Sequence, residues 1–107
     1  MIDAGFDAAR AGERLVRKLE QSAEVAGCTL DVVTGDSQRV SCGVFDSALH
    51  WLKVSVGGSS GRAWLETLDE YSIHVPGFVL AQLAVGAIDD TGGQMLAEIE
   101  AQMVKEA

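Results

Sequence analysis

The sequence predicts a single α+β domain, residues 1–107, and three observations predict it. Apolar residues recur at three- and four-residue steps over residues 7–26, they alternate with a period of two between residues 28 and 68, and a helical pattern returns after Tyr71. A chain of 107 residues has room for one core, and 48% apolar with 22% charged residues is ordinary globular composition. The expected architecture is an N-terminal helix, an antiparallel meander of three to four strands, and two C-terminal helices packed on the sheet.

The first helix is justified by Asp7 as a cap and by Ala8, Ala11, Leu15, Leu19, Ser22 and Ala26 as a narrow inner stripe of mostly small side chains. Arg10, Arg14 and Arg17 form the outer face, and Gly27 closes the helix. "CTLDVVT" (28–34) and "RVSCGVF" (39–45) then alternate, placing Cys28, Leu30 and Val32, and Val40, Cys42 and Val44, on inner faces, with "GDS" between them as a turn. "HWLKVSV" (50–56) continues the alternation through His50, Leu52, Val54 and Val56. A helix over 47–55 behind an Asp46 cap competes with that strand, because Phe45, Leu49, Leu52 and Val56 also fit helical spacing. "GGSSG" (57–61) reads as a turn leading into a fourth alternating segment, 62–68.

Beyond Tyr71, Pro76 suits a first helical turn, and residues 76–88 are apolar on nearly every side, as in an enclosed helix. "TGGQ" (91–94) matches a capping box, and behind it Met95, Leu96, Ile99 and Met103 share one helical face.

Candidate chemistry is sparse. Cys42 and His50 supply the residue types of a thiol–imidazole pair, but Cys42 between Val40 and Val44 reads as a small core hydrophobe. Cys28, Cys42, His50 and His74 are zinc-type ligands without the close pairing of a structural zinc knuckle. "GGSSG" lacks the Lys-Ser/Thr ending of a phosphate loop, and the pairs Asp69–Glu70 and Asp89–Asp90 read as solvated surface. No cofactor and no metal are expected.

Charge is the informative property. Sixteen acidic against eight basic residues give a net charge of −8, which disfavours direct binding to nucleic acid or to an anionic membrane surface. Residues 62–107 hold most of the surplus, and Glu66, Asp69, Glu70, Asp89, Asp90, Glu98, Glu100 and Glu106 are expected to form one negative face. Trp51 and Trp64 point away from the inner strand face, as anchors or beneath a helix. The expected function is therefore non-catalytic. An acidic protein–protein interaction module, such as a small inhibitor, immunity protein, adaptor or chaperone-like protein, would meet a basic protein surface through Trp51, Trp64, Glu66, Asp69, Glu70, Asp89 and Asp90. The alternatives are a structural subunit that self-associates as a homo-oligomer, through residues 76–88 or the arginine stripe, and a small Cys/His enzyme. No basic leader, no apolar run long enough to span a bilayer and only two cysteines make the cytoplasm the expected compartment.

Overall fold

A computed structural model describes residues 7–42, 45–90, 92 and 94–106, with Ser41 and Cys42 described by backbone alone. The elements are α1 (Ala8–Ala26), β1 (Thr29–Cys42), β2 (Phe45–Gly57), α2 (Gly61–Thr67), β3 (Phe78–Asp89) and β4 (Met95–Lys105). The strands form one antiparallel sheet in the order β1-β2-β4-β3, so the β1–β2 and β3–β4 hairpins meet along β2 and β4. The α+β class, the N-terminal helix and the antiparallel sheet agree with the sequence pattern.

Helix α1 begins as expected, since the Asp7 carboxylate accepts from the backbone N–H of Ala9 and Arg10 at 3.0 and 3.2 Å. It ends at Gly27, after which the Cys28 N–H reaches back to the Ala23 carbonyl at 2.9 Å. Its stripe of Ala11, Leu15, Leu19 and Ala23 is buried against the sheet. The facing side chains alternate along the strands: Ala48, His50, Leu52, Val54 and Val56 from β2, and Ala97, Ile99, Ala101 and Met103 from β4. Trp64 and Leu65 of α2, with Leu68, Ile73 and Val75 after it, complete this single core on one side of the sheet.

Five sequence expectations are corrected. "GDS" is not a turn: residues 35–37 lie inside one long β1, bulged between Val32 and Thr34. The strand expected over 50–56 forms as part of β2, in place of the competing helix over 47–55. The bulge shifts the alternation, so Val40 pairs with Ser47 and lies on the face away from the helices. Residues 62–68 fold largely as α2, because Trp64, Leu65 and Leu68 can all reach the core from a helix.

Residues 76–88 are not a helix. Pro76 and Gly77 make a turn, with Gly77 at φ 87° and the Phe78 N–H on the Val75 carbonyl at 3.1 Å, and the chain then pairs with β4 as an edge strand. Residues 95–105 are the last strand, since Ala97, Ile99, Ala101 and Met103 alternate with Glu98, Glu100 and Gln102. Thr91 and Gly93 of the expected capping box lie outside the described residues, as does Val44.

His50 is fully buried beneath α1. Its Nδ1 lies 2.8 Å from the Ser37 hydroxyl, while its Nε2 is buried without a partner among the described residues. Gly12 makes this arrangement possible, because a Cβ there would stand 2.6 Å from the Ser37 Oγ and 3.2 Å from the His50 Nδ1. Burial pushes the His50 pKa below its ordinary 6.5. The unfolded chain therefore binds a proton that the native chain resists. This contribution to stability is complete above pH 6.5 and is lost as pH falls from there through the lowered native value. Denaturant midpoints measured against pH should fall over that window, and His50→Phe should flatten the slope there.

Candidate functional site

Helices α1 and α2 occupy one face of the sheet, and among the described residues the opposite face carries no covering element. The register arranges that open face in rows across the strands. One row runs Asp36, Trp51, Glu100 and Ala84, and the next sets Thr34, Lys53 and Glu98 side by side opposite the bulge at Gly86 and Ala87. Another joins Asp31, Ser55, Leu96 and Asp89. Lys53 is the only base among the described side chains of these rows.

The first two rows enclose a groove of about 390 Å³. Trp51 and Lys53 rise from β2, Glu98 and Glu100 from β4 and Asp36 from β1, while Ala84 and Gly86 keep the β3 side low. Trp51 is 37% exposed, and its indole N–H donates to Glu100 Oε1 at 3.1 Å, which holds the ring beside that carboxylate. A half-exposed indole beside carboxylates offers a cationic guest both an aromatic face and opposite charge.

The other sequence-predicted site residues disperse. Trp64 is 5% exposed and donates its indole N–H to the Ser22 hydroxyl at 2.9 Å, so it is a core side chain covered by α1, not an exposed anchor. Glu66 is exposed on α2, on the helical side. Asp69 folds its own loop, its carboxylate accepting from the N–H of Tyr71 and Ser72 at 2.9 and 3.0 Å, with Glu70 half-buried beside it. Asp90 pairs with Arg62 at 2.7 Å, which raises the pKa of that guanidinium. Asp89 alone of the acidic site residues belongs to the rows of the open face. The acids around Trp51 are Glu98 and Glu100, which the charge count included, and Asp36, which it passed over because its partner row is set by β1 pairing past a bulge.

The thiol and imidazole candidates do not converge. Cys28 is buried and donates to the Ala23 carbonyl at 3.4 Å, His50 pairs with Ser37, and His74 is exposed. Cys42 pairs in the ladder with Phe45, and its side chain lies outside the described ones. Among the described residues no group of three or more His, Cys, Asp or Glu side chains could hold a metal ion, and no helix is long and apolar enough to cross a membrane. Comparison with protein-family models, with curated proteins and with solved structures gives no match.

Proposed function

We propose that this chain is a non-catalytic binding module whose open sheet face receives a basic protein surface, with a lysine or arginine of the partner seated against Trp51. The observation that carries this reading is the groove itself: one half-exposed indole bordered by Asp36, Glu98 and Glu100, with Lys53 the single base beside it. The carboxylates are exposed, so they act chiefly on encounter rate and specificity, and the contact should weaken with salt. Trp64 lies in the core and donates to Ser22, away from this surface, and the acids Glu66, Asp69 and Glu70 stand outside the groove as secondary contributors to net charge.

Fluorescence titration with arginine-rich peptides tests it, because Trp51 emission should respond while the enclosed Trp64 stays constant. Glu98→Lys with Glu100→Lys should weaken binding about a hundredfold, the effect of placing like charges at an interface centre. Glu66→Lys with Asp69→Lys should change it little. Equal loss from both pairs would mean that net charge, not the groove, attracts the peptide, and would refute the assignment.

A further inference from the structure

The sheet has two edges, β1 and β3, and they are built differently. Strand β1 carries Asp31, Asp36 and Arg39, is bulged after Val32 and runs along α1. Charges and bulges of that kind discourage another strand from pairing. Strand β3 has no charged side chain until its last residue, Asp89, and it exposes Val79, Ala81, Ala84 and Ala87. A long edge of small and apolar residues is a template for strand addition.

The two ends of β3 carry opposite charge. Beside Phe78, a cleft of about 240 Å³ is lined by Asp7, Arg10, Arg14 and Lys105. Asp7 is engaged in capping α1, and Arg10, Arg14 and Lys105 have no ion-pair partner among the described residues. At the far end stand Asp89 and Asp90, the second of them paired with Arg62. An antiparallel pair of β3 strands that sets Ala84 opposite its own copy keeps like faces together and brings Phe78 opposite Asp90, so the basic end of each copy meets the acidic end of the other. The same register solves a second problem. β3 is bulged between Leu80 and Gln82 and again between Val85 and Ile88, and here Ala81 falls opposite Ala87, so each irregularity meets the other.

We infer that β3 is the pairing edge of a homodimer, two copies joining antiparallel about a twofold axis at Ala84 into one continuous sheet. A twofold that pairs antiparallel edges runs perpendicular to the sheet, so both helical layers lie on one side and both Trp51 grooves on the other. The contact is isologous and closes at two copies, whereas an arginine helix face against an acidic face elsewhere would build head-to-tail chains. The inference is independent of what the open face binds.

Sedimentation velocity of the full chain over a range of concentrations tests it. The wild type should dimerise, and amides of β3 should gain protection from hydrogen exchange as concentration rises. Arg10→Glu with Arg14→Glu, and separately Asp89→Lys with Asp90→Lys, should each weaken self-association about tenfold or more through like charges at both ends. Mixing the two variants should restore a dimer, now a heterodimer, because every end is complementary again. Circular dichroism checks that each variant folds, and Ala81→Lys, at an exposed position between the charged ends, should weaken the dimer in the same way. A wild type that stays monomeric, a mixture no tighter than its components, or a dimer lost with Trp51→Lys and kept with Ala81→Lys would each overturn the proposal.

Discussion

Trp64→Ala is expected to destabilise the fold by about 3–5 kcal/mol, the cost of deleting a large buried aromatic side chain. Trp64 stands on α2 with 5% of its surface exposed, inside the core cluster that joins α1, α2 and the sheet. Its truncation leaves a cavity under a seven-residue helix and strips the Ser22 hydroxyl of its donor at 2.9 Å. Trp64→Phe should recover most of the packing and lose the hydrogen bond, about 1 kcal/mol. Chemical denaturation of the two variants separates the terms. Trp51→Ala is the contrast, because a half-exposed residue on the open face should cost far less stability while abolishing peptide binding. A Trp64→Ala loss below about 1 kcal/mol would mean that α2 is not packed as described.

Gly12→Leu carries the second large effect, a net destabilisation of about 2–4 kcal/mol despite leucine's better helix propensity. The gain from replacing a helical glycine is at most about 1 kcal/mol. Against it stands a close approach of α1 to the sheet, where even a Cβ would meet the Ser37 Oγ at 2.6 Å. Displacing Ser37 also removes the hydrogen-bond partner of the fully buried His50 Nδ1, while Nε2 has none among the described residues. Gly12→Ala should cost less, since the serine hydroxyl can rotate away, and Ser37→Ala should reduce its penalty in a double-mutant cycle. Urea midpoints of the four chains measure the coupling. Exact additivity would show that Gly12 and Ser37 do not share a contact.

Together these residues define two sides of one sheet with different tasks. The covered side holds the energy of the fold, and its tolerance for change is small wherever a helix comes closest. The open side holds Trp51 and its carboxylates, where substitution should alter binding before it alters stability.

The sequence alone determined whatever depends on neighbours in the chain. Asp7 and Gly27 bound α1 because caps act within a few residues. His50, Leu52, Val54 and Val56 were assigned to the core because a strand's alternation is local geometry, and Trp51, one residue out of phase, followed onto the other face. The regular alternation of Ala97, Ile99, Ala101 and Met103 was also present, but Met, Leu, Ala, Glu and Gln are strong helix formers and the segment matched a helical face equally well.

Only the tertiary structure decided between those readings. Strand β4 lies between β2 and β3, and ladder pairing on both sides outweighs a helix preference of a few tenths of a kcal/mol per residue. The apolar run 78–88 had no period to read, so its pairing with β4 made it a strand, with no described strand on its other side. The bulge after Val32 reversed which β1 residues face the helices, and cross-strand register gathered Asp36, Trp51, Lys53, Glu98 and Glu100 from distant parts of the chain. Charge could be counted from the residues, but its placement depends on register. A shift of one position moves a side chain to the opposite face of the sheet.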